Sequence, residues 1–174
     1  MPMIAFLILL SVAIIAYDVL FRRVPNSLLL LALLVHTGYM IATGSGYAGI
    51  DVRQSLLGAA IALIVFVPLY ALRAMGAGDV KFLTVLGALL GLKALFVVWL
   101  IGSLIAGLHA IVFYSAQIWL AMMPSGLHRL MQQVGGSNLY QRMLDARQGR
   151  KGIPYAAYLA IGAIFYLVMM WRGQ

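Results

Sequence analysis

Apolar residues fall along the chain in long blocks: 3–21, 27–43, 54–72, 79–91, 93–123 and 153–171, separated by short polar or glycine-containing turns. Several blocks reach about 20 residues, the length that crosses a bilayer as a helix. No period-two alternation suggests a barrel, so backbone groups inside a membrane must pair within helices. The pattern predicts an all-α, polytopic membrane protein of about six transmembrane helices, forming a single domain over residues 1–174. The fourth block is the weak point. Its 13 residues rise about 20 Å as a helix against a hydrocarbon core of about 30 Å, which leaves Gly91 and Lys93 short of the interface.

One long polar stretch interrupts the pattern, at 124–152. It carries Arg129, Arg142, Arg147, Arg150 and Lys151 and is broken by Gly135-Gly136-Ser137. Leu127, Leu130, Met131 and Val134 recur at helical spacing before that break, so the stretch is expected to be a basic amphipathic cytoplasmic loop lying on the membrane surface. The first 17 residues lack a basic leader region and a small-residue cleavage site and run straight into a charged motif. They are expected to be a retained first span.

Composition sharpens the class. Hydrophobic residues make up 64% and charged residues 9% of the 174, against about 25% charged in a soluble domain. The net charge of +8, from 12 Lys+Arg against 4 Asp+Glu, would suggest nucleic acid in a soluble protein. Here the bases cluster at the ends of apolar blocks, and no aromatic-interleaved basic run is present, so nucleic-acid binding is not expected. Placing Arg22, Arg23, Arg73, Lys81, Arg129, Arg142, Arg147, Arg150 and Lys151 inside leaves only Arg53, Lys93 and Arg172 outside. The positive-inside rule then predicts both termini out. The absence of cysteine removes disulfides, thiolate chemistry and Cys-ligated metal.

The four acidic residues divide by context. Asp51 precedes the third block as an expected helix cap, and Asp145 sits among bases in the polar stretch. Asp18 lies inside the first apolar block, where an ionised side chain is costly to insert. A local reading pairs it with Arg22 one helical turn on. Asp79 stands in Gly76-Ala77-Gly78-Asp79-Val80-Lys81-Phe82, where the glycines free the backbone to turn and the aspartate opens the fourth helix. A local reading makes it a helix cap. Although 61 residues apart, the topology sets both at one membrane edge. Two carboxylates sharing a site can hold one proton between them, the arrangement that activates water and protonates a scissile amide.

The segment Asp18, Arg22-Arg23-Val24-Pro25-Asn26 and the later Gly76-Ala77-Gly78-Asp79-Val80-Lys81 resemble the prepilin peptidases, intramembrane proteases of the Gly-x-Gly-Asp class. The resemblance implies that Asp18 and Asp79 are catalytic, with Gly76, Gly78 and Lys81 supporting the site. It further implies cleavage of a short basic leader from type IV pilin-like precursors at the cytoplasmic face of the bacterial inner membrane. The chain departs from the larger members in lacking their cysteine-containing, N-methylating cytoplasmic region. It looks like the small single-function form associated with Flp-type, tight-adherence pili, without N-methyltransferase activity. The partners implied are a prepilin substrate and the lipid bilayer; no cofactor, metal or particular oligomeric state is implied.

Other polar residues have simpler readings. Lys81 either tunes the aspartate pair or anchors the helix at the interface. Pro25-Asn26 reads as a turn in which Asn26 caps the second helix, and Pro154 suits the start of the last. His36 and His109 lack partners at metal-ligand spacing and are expected to bond between helices. Ser11, Ser55, Ser103 and Ser115, with Gly58, Gly87, Gly102 and Gly107, are expected to pack helices together. Two rival functions remain: a proton- or cation-coupled transporter or channel component using Asp18 and Asp79, and a non-catalytic pilus assembly subunit in which the aspartates pair with Arg22 and Lys81.

Overall fold

The computed structural model describes residues 2–121 and 153–172. The expected amphipathic loop at 124–152 lies outside the described residues. The helices are α1 (Pro2–Phe21), α2 (Asn26–Thr43), α3 (Val52–Ala71), α4 (Ala77–Ala121) and α5 (Tyr155–Arg172), with a short 3-10 turn at Tyr47–Gly49. All five α-helices are long and apolar enough to cross a membrane, and no strand occurs among the described residues. The chain is an all-α polytopic membrane protein.

Helix α4 is two limbs, 77–90 and 92–121, joined at Gly91, whose φ of 76° and ψ of 175° are not helical. A left-handed φ of this kind is open to glycine at little cost. A straight helix would set Ser103 about 36 Å from Asp79 at 1.5 Å per residue. Instead both line one cavity, so the second limb folds back along the first. The expected fourth and fifth spans are these two limbs.

The first limb is the centre of the molecule. Phe82, Leu83 and Leu89 are fully buried and Leu86 is 1% exposed; a helix apolar all round is one surrounded by others. Helix α3 crosses it where Gly58 meets Gly87: a Cβ on either would run into the other's carbonyl. Helix α5 closes on the second limb in the same way, since a Cβ at Gly102 would lie 2.9 Å from the Leu159 Cα and one at Gly162 2.8 Å from the Val98 carbonyl oxygen. Small residues thus replace side-chain interdigitation with backbone contact. Gly107, expected to do likewise, has nothing within 4 Å. Outer faces carry exposed Leu30, Ile41, Ile64, Leu104 and Ile111, as lipid-facing positions should.

Polar residues inside the bundle tie helices together. Ser55 donates to the Ala88 carbonyl at 2.7 Å, and His36 Nε2 lies 3.4 Å from the same hydroxyl. His109 Nδ1 lies 2.8 Å from the Tyr158 hydroxyl. Both histidines therefore bond between helices as expected. Asp51 caps α3, accepting from the Gln54 amide at 2.6 Å while the Gln54 side chain accepts from the Asp51 amide, a reciprocal box that fixes the start of the helix.

Candidate functional site

Asp18 sits in the last turn of α1 and is 6% exposed. A carboxylate buried this deeply needs a donor, and it finds one on α5. Its Oδ2 accepts from the Ala157 backbone N–H at 2.9 Å. The first N–H groups of any helix have no partner within the helix. Asp18 supplies one across a sequence separation of 139 residues, so it acts as the cap of α5 and meets the positive end of the helix dipole.

Asp79 arrives from another direction. Helix α4 starts at Ala77, so Gly76 is the capping position and Asp79 the third residue inside. The Asp79 Oδ2 turns back to accept from the Gly76 N–H at 3.2 Å, half of a capping box. The two carboxylates are near enough for their charges to interact, and both line one cavity.

The two glycines serve close approach rather than a special backbone angle; their φ values are not among the positive ones, which for glycine are Gly44, Gly49 and Gly91. A Cβ at Gly76 would stand 2.9 Å from the Asp79 Oδ2, in the way of the fold-back. One at Gly78 would press on the Val24 Cγ2 at 3.3 Å. Gly78 thereby lets the α1–α2 turn rest on the start of α4, fixing the height of Asp18 relative to Asp79.

Lys81 is tied to a residue outside the pair. It is exposed, and its Nζ donates to the Asn26 Oδ1 at 3.2 Å. The expectation that Asn26 caps α2 is corrected by the same bond: Pro25 holds the capping position with no side-chain cap, and Asn26 is the first helical residue. Its amide is spent tying α2 to α4.

These groups open on a cavity of about 1420 Å³ lined by Asp18, Asp79, Arg22, Arg73, Tyr70, Trp99, Ser103 and Tyr155, among others. Small-molecule pockets are about 300–1,000 Å³; this one has room for a length of polypeptide. Arg22 and Arg73, just past the ends of α1 and α3, hold left-handed φ angles of 54° and 58°. A non-glycine residue held in this region costs about 1–2 kcal/mol, so the surrounding turns specify both positions. Among the described residues no three side chains of the metal-ligating types come together. Sequence reasoning missed the Ala157 amide and the place of Trp99 and Ser103 in the cavity wall. The one signal for the amide was Pro154, marking a helix start whose N–H groups had to go somewhere.

Fold and site together define a multi-pass membrane protein that brings two carboxylates from separate helices to one peptide-sized cavity at one end of the bundle. The sequence profile of the type IV leader peptidase family matches residues 4–111, more than half of the chain and both aspartates included. The chain belongs to that family and is a leader-peptidase-like protease. No curated protein and no solved structure matches it.

Proposed function

We propose that the chain is an intramembrane aspartic endopeptidase that removes the short basic leader from Flp-like type IV prepilins, with Asp18 and Asp79 as the catalytic pair. The observation that carries this reading is that Asp18, bonded to the Ala157 amide at the start of α5, and Asp79, folded back on Gly76, line one cavity. In the mechanism, a water lies between the two side chains. The ionised carboxylate takes a proton from it as the oxygen attacks the scissile carbonyl carbon, and the protonated carboxyl donates its proton to the carbonyl oxygen. The resulting gem-diol collapses as the C–N bond breaks. One of its hydroxyl protons returns to a carboxylate, and the amine departs with the proton held by the other. Water is the sole co-reactant, so no cofactor or metal is invoked. Gly76 and Gly78 serve by letting Asp79 and Val24 settle, and Lys81 by anchoring α2.

The distribution of charge supports a cytoplasmic site in an inner membrane. Arg22, Arg23, Arg73 and Lys81 line the cavity end, whereas Lys93 follows Gly91, which packs near Ile50 at the other end, and Arg53 lies just beyond Ile50. More bases flank the aspartates, as the positive-inside rule asks of a cytoplasmic edge. The turn between α1 and α2 is only residues 22–25, and the chain has no cysteine, which supports a peptidase without methyltransferase activity. A transport path would string carboxylates through the depth of the bundle rather than gather them at one end. An assembly role resting on an Asp79–Lys81 pair is disfavoured by the Lys81 bond to Asn26.

The test is co-expression of a Flp-type prepilin with wild type, Asp18→Asn and Asp79→Asn, membrane insertion of each being verified. The mature product should appear with wild type alone. Cleavage surviving in either correctly inserted variant would remove that aspartate from the mechanism.

A further inference from the structure

One wall of the cavity is built from Trp99 and Ser103 of the second α4 limb and Tyr155 at the start of α5. The Ser103 hydroxyl lies 2.7 Å from the Tyr155 hydroxyl. Ser11 and Thr84 bond their own backbone, to the Leu7 and Val80 carbonyls, both at 2.8 Å. That is the ordinary use of a serine or threonine in a helix. Ser103 instead leaves its helix for Tyr155, and the Trp99 side chain lines the cavity with them. Tyr155 lies within electrostatic reach of Asp79, and two residues on, Ala157 supplies the amide at Asp18. The phenol is therefore held by Ser103 beside the carboxylates.

A peptide entering such a site must be extended near its scissile bond, and each N–H and C=O it brings out of water needs a partner. The arginines and Lys81 only donate, and ionised carboxylates only accept. Hydroxyls do both. Of the tyrosines lining the cavity, Tyr70 is 51% and Tyr114 64% exposed, whereas Tyr155 is half-buried and fixed. With one hydroxyl proton consumed between Ser103 and Tyr155, the pair keeps one proton and further lone pairs for the cavity.

We propose that the Ser103–Tyr155 hydroxyl pair is a substrate subsite that hydrogen-bonds a main-chain amide of the leader peptide beside the scissile bond. The subsite rests on the peptidase reading and serves the same reaction. It binds peptide backbone rather than a particular side chain, so its contribution is to hold the chain extended against Asp79.

The experiment uses the full-length enzyme in detergent and synthetic peptides spanning the junction of the Flp-type prepilin cleaved by wild type. Each residue flanking the scissile bond is replaced in turn by its ester analogue, which lacks one N–H. One ester should lower wild-type kcat/KM about tenfold, the scale of one hydrogen bond to a buried partner. Tyr155→Phe and Ser103→Ala should lower kcat/KM on the all-amide peptide by a similar factor and cleave that ester as well as the amide. Ser103→Thr, which keeps the hydroxyl, should restore the discrimination. A purely structural role for the pair would lower thermal stability while leaving the ester discrimination of both variants at the wild-type ratio, and that result overturns the subsite. It would leave the aspartate mechanism standing, because that is read separately from the Asp18→Asn and Asp79→Asn enzymes.

Discussion

The two ends of the bundle bury polar groups for opposite purposes. At the Gly91 end, Ser55, His36 and the Ala88 carbonyl close on one another between α2, α3 and α4, and Gly58 against Gly87 brings two backbones into contact. At the Asp18 end, the polar groups line a cavity large enough for a peptide. The α5 N-terminus there is held by a side chain from α1 rather than by its own cap. A polar group that serves packing finds its partner in the neighbouring helix and leaves no space. A polar group that serves chemistry is fixed on one side and faces space on the other.

The largest effect should come from separating the two tasks of Asp18. Asn keeps an oxygen for the Ala157 N–H but cannot carry the charge or the proton. Asp18→Asn should therefore lose about 10²–10⁴-fold in kcat, the usual worth of a general acid or base, with a near-native melting temperature. Asp18→Ala should be equally inactive and also less stable, by about 0.5–2 kcal/mol for a lost cap. Melting in detergent beside the cleavage assay gives both readouts; equal stability of the Asn and Ala variants would show that the cap contributes nothing.

At the other end the pattern should invert. Gly58→Ala drives a methyl into the Gly87 carbonyl, and overpacking of this kind costs about 1–3 kcal/mol or more. Thermal stability should drop by several degrees, while kcat per correctly folded molecule stays near wild type. A specific loss of kcat without destabilisation would mean that this end is coupled to the cavity.

This division bears on what the sequence could reveal. Apolar blocks gave the spans, because each is a local property of some 20 consecutive residues. The Asp51 cap and the interhelical histidines were legible for the same reason: cost and remedy both lie close by, or the remedy is any neighbouring helix. The juxtaposition of Asp18 with Asp79 came from topology and the family motif. What holds Asp18 there, the Ala157 amide, was hidden because every residue has an amide and nothing marks which will be orphaned beside a distant carboxylate. Gly76 and Gly78 stood out as glycines, but the reason assigned to them was wrong. Spacing suggests a sharp turn, whereas the structure needs room for the Asp79 carboxylate and for Val24. Asn26 was misread because a capping residue type next to a helix start is a local signal, and Lys81, 55 residues away, claimed its side chain.

The Gly76 contact gives a more graded break. A methyl 2.9 Å from the Asp79 Oδ2 must push the carboxylate out of its bond to the Gly76 N–H, and misplacement of a catalytic group by about 1 Å can cost roughly 10²-fold. Gly76→Ala should lower kcat on that scale with little change in KM or melting temperature. Activity equal to wild type would show that the fold-back is not the working position of Asp79.

The smallest effect tests whether Lys81 belongs to the chemistry or to the scaffold. In the structure its ammonium is exposed and bound to Asn26, a geometry that ties the start of α2 to the first limb of α4 and sets the α1–α2 turn against Gly78. If that bond is the role of Lys81, Lys81→Met and Asn26→Ala remove the same interaction from its two sides. Each should lower kcat/KM by a few-fold, and the double variant should be no worse than the poorer single one, the signature of residues acting as a pair. If Lys81 instead stabilises charge on the scissile carbonyl, Lys81→Met alone should lose about 10²-fold or more, and Asn26→Ala, which frees the ammonium to turn inward, should be neutral or faster. The two readings thus predict opposite signs for the asparagine variant, so that single measurement separates a lysine that holds the site from one that works in it.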